Sequence, residues 1–349
     1  MLDRLKKYFN NPFQSKIEKI DCVSCDCLNE RLVFFGDKVA YCSNGNPSNK
    51  MSYPLIYDNY NGDFEINKFS KIVQKNRLNI LKGKYNSSCE GCSNLKKQKW
   101  FIDASKFPKF KYIQFSGYSL CNSKCVYCNS WTNTKQEGNS FVTKNGQIDS
   151  YEIMPIIKDL IRKNMITEDT VIDFAGGEPT LYREFEQSLD YFLNFGTKKM
   201  MVFSNVIKFS QIIEKGLKQG IITLTVSVDA GSQQIHKKIK GVDSYEKVWQ
   251  NLQKYASCVK FKNQIVSKFV IVPDINDDIC EITEWVRKSK EIGITNLILN
   301  ADNRIFEKEV DKDLMLKLKK LGEEFLLLGK QENMLCELYS NMIYASSYI

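Results

Sequence analysis

The sequence has 349 residues, 43% of them hydrophobic and 26% charged, which is an ordinary globular balance with enough apolar material for a sizeable core. No uncharged apolar run approaches the roughly 18 residues that cross a bilayer, so a membrane protein is not expected. The formal net charge is +9 and lies in the N-terminal third: residues 1–120 carry 20 Lys and Arg against 11 Asp and Glu, while the remainder is balanced at 30 of each.

A local basic excess favours anionic partners such as phosphorylated substrates, nucleotide sugars, acidic peptides or nucleic acid; a solvated lysine-rich surface explains it equally well. There is one histidine, His236, which excludes His-rich metal sites and most Ser-His-Asp or Cys-His hydrolase schemes. Twelve cysteines without an export signal point to a reducing, cytoplasmic setting, where clustered thiols are metal ligands or catalysts more often than disulfides.

In chain order, MLDRLKKYFNNPF lacks an apolar core and a small-residue cleavage site, and reads as a short docking helix. Cys22, Cys25 and Cys27 follow. RLVFFGDKVAYC then reads as a β-hairpin with Gly36-Asp37 at its turn, so that Cys27 and Cys42 bracket it. Residues 43–64 are rich in turn formers and read as a loop. CEGC supplies Cys89 and Cys92, with Gly91 permitting a tight bend. The spacing C-x14-C, a gap, then C-x2-C offers four ligands: Cys27, Cys42, Cys89 and Cys92. Cys22 and Cys25 with Cys89 and Cys92 are a competing zinc set, although their 63-residue separation is far wider than a zinc ribbon's.

From residue 107 short apolar, β-branched runs alternate with helical patterns. Strands are expected at 111–117, 171–177, 200–205, 224–230, 265–272 and 294–300, and helices at 151–164, 183–195, 209–219, 244–256 and 278–293. Six βα units predict an α/β fold, a partial (β/α)6 TIM-type barrel with right-handed crossovers, preceded by a small cysteine-rich α+β region. The expected divisions are a cysteine-rich region over 1–106, the barrel over 107–305 and a helical cap over 306–349, with one or two helices across 311–345. His236, in QQIHKKIKG, is expected on a helix surface. Cys258, Cys280 and Cys336 fall in helical patterns and read as small buried hydrophobes.

In such folds the chemistry collects at the C-terminal strand ends. There the sequence has Ser116-Gly117 with CNSKCVYC beyond it, then Gly176-Gly177-Glu178, Ser204-Asn205 and Ser227 with Asp229. Three thiolates within eight residues, Cys121, Cys125 and Cys128, converge on one metal centre only if the loop wraps it. Thiolates are the usual ligands of iron–sulfur clusters, and three of them leave one iron of a four-iron cluster open. Structural zinc wants a fourth ligand, which the loop lacks.

CNSKCVYC resembles the CxxxCxφC signature of the radical S-adenosylmethionine (SAM) superfamily, with Tyr127 at the aromatic position that lies beside the adenine. Gly176-Gly177-Glu178-Pro179, 48 residues after Cys128, is similar to the GGEP motif that holds the methionine amino group. Glycines allow close backbone approach and a carboxylate pairs with an ammonium. TVSVDAG resembles the fourth-strand segment that meets the ribose or carboxylate, matched by Ser227 and Asp229. FSNV resembles the third-strand TNG-type segment, matched by Ser204 and Asn205, with Val206 where that segment has glycine. Lys268 and Asn300 are further candidates on the fifth and sixth strands. Strand-end capping is the alternative role for Asn205, Ser227 and Asp229.

The resemblance covers about residues 107–305. It implies a [4Fe–4S] cluster on Cys121, Cys125 and Cys128 and reductive cleavage of SAM to a 5′-deoxyadenosyl radical. That radical then takes hydrogen from a substrate, either an anionic sugar or nucleotide-linked molecule or a peptide. An electron donor such as flavodoxin or ferredoxin is implied as a partner. The N-terminal cysteines resemble the SPASM or twitch region that binds an auxiliary [4Fe–4S] cluster, here placed before the barrel. A nucleic-acid-binding or RNA-modifying protein with an N-terminal zinc module is the alternative, but interleaving of aromatic and basic residues is sparse, and neither nucleic acid nor membrane is expected as a partner.

Overall fold

The structure is a computed structural model that describes residues 19–25, 27–35, 38–42, 55–57, 68, 71–72, 75–76, 79, 84, 89, 95–101, 109–116, 120–128, 134–137, 140–143, 153–182, 184–307 and 311–347. The expected N-terminal helix and Cys92 lie outside these. The chain divides into two compact units, residues 1–114 with 152–170, and residues 115–151 with 171–349.

In the first unit, β1 (Lys19–Ser24) runs antiparallel to β5 (Lys96–Phe101). A short helix α1 (Cys27–Glu30) leads into β2 (Arg31–Phe35), which forms the expected hairpin with β3 (Lys38–Ala40). Inside the segment expected to be loop, β4 (Leu55–Tyr57) adds a further antiparallel strand against β3. Helix α2 (Ile153–Arg162) buries Ile153, Ile156, Ile157 and Leu160 at helical spacing. Leu32, Val33, Phe34, Val39 and Phe110 are buried too.

The strand β6 (Tyr112–Ser116) passes from the first unit into the second. There a hairpin, β7 (Thr134–Glu137) with β8 (Ser140–Thr143), precedes a parallel series. The series is β9 (Val171–Phe174), β10 (Met200–Ser204), β11 (Ile222–Ser227), β12 (Ile265–Ile271) and β13 (Asn296–Ala301), each beside its predecessor. The helices between them are α3 (Phe185–Phe195), α4 (Gln211–Gln219), α5 (Gln233–Lys240), α6 (Tyr245–Ala256) and α7 (Ile279–Glu291). Beyond β13, α8 (Lys312–Gln331) and α9 (Ser340–Ser347) flank β14 (Leu335–Leu338), which pairs parallel to β13. The all-helical tail expected from the sequence therefore contains a strand. Its four residues, LCEL, alternate between exposed and half-buried, too short a run to separate from a helix end by pattern.

Two aromatic groups fasten helices to this sheet. Phe174 stacks on Phe115 at 5.4 Å and meets Phe185 edge-on at 5.3 Å. Trp285 lies between Phe269 at 5.2 Å and Phe325 at 5.8 Å, and its indole N–H donates to Ser267 Oγ. Such pairs add about 0.5–1.5 kcal/mol each beyond burial. Among the described residues no helix is long and apolar enough to cross a membrane.

Two further expectations, for His236 and Cys280, are corrected. His236 is 1% exposed, packed edge-on against Tyr245 at 5.5 Å, and burial pushes its imidazolium down to about 4. Its helix carries one buried face, which a short lysine-rich segment conceals. Cys280 is exposed rather than buried, because it lies in the first turn of α7, where Asp278 caps its N–H. Cys258 and Cys336 are half-buried.

Candidate functional site

The site lies in the second unit, at the C-terminal ends of β9, β10 and β11. β9 leaves the sheet through Gly176 and Gly177, with φ of +83° and +56°. Two successive left-handed residues suit glycine and bring bare backbone to the mouth of the sheet. Glu178 then caps a short 3-10 turn over Pro179–Leu181. Its carboxylate is fully buried. One oxygen accepts from Thr180 N–H at 3.1 Å, Thr180 Oγ1 at 2.6 Å and Ser204 Oγ at 2.9 Å, and the other accepts from Asn205 N–H at 2.7 Å. Burial pushes its pKa up, and these four donors oppose that shift. Glu178 is thus a brace between the ends of β9 and β10.

Ser204 is buried beneath that brace, and Asn205 carries the link onward. The Asn205 amide nitrogen lies 2.6 Å from Asn122 Oδ1, 3.2 Å from Ser123 Oγ and 3.8 Å from Cys121 Sγ. Val206, where the resembling segment has glycine, does adopt a left-handed φ of +51° and is fully buried. A β-branched residue there carries strain of about 1–3 kcal/mol.

The cysteine loop has its own turn, with Cys128 N–H donating to Cys125 O at 3.0 Å. Cys121, Cys125 and Cys128 are all half-buried. Burial pushes the Cys121 thiol up to about 11, against a hydrogen bond from Ser123 N–H. Burial also raises Cys125, with Lys240 the largest opposing influence. A bound metal centre supplies the positive charge that favours the thiolate form of such groups. The donor set of three soft sulfurs on one loop therefore suits an iron–sulfur cluster. Among the described residues, no three His, Cys, Asp or Glu side chains form a site for a metal ion as they stand, so the fit rests on donor chemistry.

Beyond β11, Asp229 has φ of +63° and a fully buried side chain. It accepts from Tyr127 OH at 2.5 Å and Val270 N–H at 2.8 Å, and forms an ion pair with Lys240. Lys240, which the sequence reading passed over, is 3% exposed and also reaches Tyr127 OH at 3.2 Å. Burial pulls its ammonium down, and Asp229, Cys125 and Cys121 more than offset that. The only signal for it in the sequence is a lysine just before the glycine that ends a helix, which surface lysines share. Ser227 ends β11 opposite Lys268 on β12. Lys268 is half-buried with its ammonium 5.7 Å from the Tyr339 ring centre; burial lowers its pKa. Asn300 is buried with its side-chain oxygen unpartnered.

In the first unit, Cys25, Cys27 and Cys42 are all buried. Cys27 hydrogen-bonds to both of the others. The contact with Cys25 lowers its pKa, while Cys42 and burial together raise it to about 11. Cys25 belongs to this group, although the four-ligand spacing left it aside. Cys89 is half-buried.

A thiolate loop at the mouth of a parallel α/β sheet, beside a double-glycine strand end, defines a class of cofactor-dependent α/β enzymes. Residues 116–286 match the profile of the Radical SAM superfamily, and the chain belongs to that superfamily of enzymes. Membership implies a [4Fe–4S] cluster and SAM. Among curated proteins the chain is similar to the GTP 3′,8-cyclase of Pasteurella multocida (strain Pm70), 28% identical over 185 residues, covering 51% of this chain and 50% of that one. It is also similar to the GTP 3′,8-cyclase of Vibrio atlanticus (strain LGP32), 22% identical over 231 residues, with 64% and 66% covered. The chain thus spans about half to two thirds of the length of these relatives. Among solved structures, Streptococcus suis SuiB bound to precursor peptide SuiA aligns over 94% of this chain and 75% of that chain, with a TM-score of 0.51 and 14% identity. That likeness shows the fold, a mostly parallel sheet in a partial barrel.

Proposed function

We propose that Cys121, Cys125 and Cys128 hold a [4Fe–4S] cluster, with SAM bound against it at the ends of β9, β10 and β11. When bound, the cluster and SAM supply reductive cleavage of the sulfonium and removal of hydrogen from a substrate. The observation that carries this reading is the pair of ties on the cysteine loop. Asn205 binds it to the end of β10 and Tyr127 to Asp229 beyond β11, so the ligand loop is tied to the cofactor-facing strand ends. Gly176 and Gly177 offer bare backbone to the methionine end of SAM. Glu178 orients that backbone and Asn205; three of its donors meet one oxygen, and the other, which accepts from Asn205 N–H, is the one with acceptor capacity to spare for an ammonium. Tyr127 lies beside the adenine, and Ser227 and Asp229 are the candidates for the ribose or carboxylate.

The substrate class that the residues favour is an anionic, nucleotide-linked small molecule. Lys268 supports it, since the carboxylate nearest in influence, Asp229, is already paired with Lys240. The similarity to proteins named GTP 3′,8-cyclase points the same way. A reduced flavodoxin or ferredoxin is the electron donor. Cys27 and Cys42, with Cys89 and Cys92, are the four donors for a second metal centre, an auxiliary [4Fe–4S] cluster or zinc, and Cys25 hydrogen-bonds to Cys27 beside them.

The test is iron and sulfide analysis of anaerobically prepared protein, followed by 5′-deoxyadenosine assays with nucleoside triphosphates, nucleotide sugars and peptides. About four irons on the barrel loop and stimulation by a nucleotide are expected. The stimulation should weaken in Lys268→Met. Absence of an iron chromophore after reconstitution overturns the whole reading, and stimulation by peptides alone overturns the substrate class.

A further inference from the structure

Helix α5, QQIHKKIK, ends at Lys240, and its last carbonyls have no partner within the helix. Here the cysteine loop supplies partners. Lys124 N–H donates to Lys240 O at 2.7 Å, and Val126 N–H donates to Ile239 O at 2.9 Å. These two amides flank Cys125, so this ligand position is held by the end of a helix on both sides. Gly241 makes the approach possible. Its φ is +66°, and a Cβ there would lie 2.9 Å from Lys124 Cβ and 3.0 Å from Lys124 O.

The Lys240 side chain turns back into the same place. It ion-pairs with Asp229 and reaches Tyr127, whose ring is 5.7 Å from the ammonium. Asp229 spreads its charge over three donors, from Lys240, Tyr127 and Val270. A lysine buried this deeply is uncommon, and an apolar side chain of the same size often gives a more stable protein than a buried ion pair. A retained charge is explained if a neighbouring centre changes its own charge. The centre implied next to it is the cluster on Cys125, which becomes more negative on reduction. Nearby charge and hydrogen bonding set such potentials.

On the cluster reading above, we propose that Lys240 is a positioning residue that serves the iron–sulfur centre twice: its carbonyl pins the loop at Cys125, and its buried ammonium raises the potential at which the cluster accepts an electron. The opposing charge of Asp229 lowers that potential.

The experiment is a redox titration of the anaerobically reconstituted full chain, without SAM or substrate, followed by electron paramagnetic resonance, with iron and sulfide counted in parallel. Lys240→Met is expected to shift the midpoint to more negative values, Asp229→Asn to more positive ones, and Lys240→Arg to retain the wild-type value. A purely mechanical role moves the Met and Asn variants in the same direction or neither, and either outcome overturns the proposal. Should Lys240→Met fail to load iron, the positive shift of Asp229→Asn together with an unchanged Lys240→Arg still supports it, and anything else overturns it. A wild-type protein that takes up no cluster fails the underlying reading instead.

Discussion

The two groups of cysteines in this chain are built on opposite principles. In the first unit Cys27 hydrogen-bonds to Cys25 and Cys42, and all three are buried, 4–9% exposed. In the second, Cys121 is met by Ser123 N–H and the Asn205 amide, while Cys125 sits between two amides bound to the end of α5. One group is drawn inward on itself. The other is spread on a backbone frame with its cysteines half-buried. A centre that only conducts or stabilises suits burial, and one that must meet a ligand needs an open face.

The largest break between the two regions is expected from Cys125→Ala. It should remove about four irons per chain and abolish 5′-deoxyadenosine formation, leaving the metal proposed for the first unit in place. Iron analysis with a coupled product assay checks it. Cys27→Ala is the converse: the metal proposed for the first unit should be lost while the barrel loop keeps its iron and still cleaves SAM at a reduced rate. Equal loss of metal from both regions in either variant would erase the distinction.

Gly241→Ala sharpens the comparison by disturbing only the frame. A left-handed non-glycine residue costs about 1–2 kcal/mol, and the crowding against Lys124 adds to it. Denaturant unfolding should show that loss, together with slower iron uptake by the barrel loop and unaltered uptake by the first unit. The smallest effect concerns Cys280, far from either centre in sequence. The charge of Asp278 raises its thiol pKa. Asp278→Asn removes that charge and keeps a capping oxygen, so the thiolate fraction at a given pH rises. Peptide-resolved alkylation of Cys280 should shift to lower pH.

Much of the site was legible because its signals are local. Cys121, Cys125 and Cys128 share one loop, and Gly176-Gly177 ends one strand, so spacing alone relates them to turns and strand ends. The β2–β3 hairpin was legible for the same reason, with Gly36-Asp37 between two apolar runs. The strand β14 was not, because its four residues owe their conformation to the edge of β13. Nor were the bonds of Glu178 to Ser204 and Asn205, because they join positions 26 and 27 residues apart on separate strand ends.

What the chain determined by itself is the donor chemistry: soft sulfurs at fixed intervals, glycines where backbone must be bare, and alternating runs that make a parallel sheet. Those properties depend on neighbours a few residues away. Tertiary structure alone decided that a lysine in a basic helix becomes a buried cation beside the cysteine loop, that His236 is interior, and that Cys25 joins Cys27 and Cys42. In each case burial depends on which distant segment packs above the residue, and a residue's type and spacing carry no record of that.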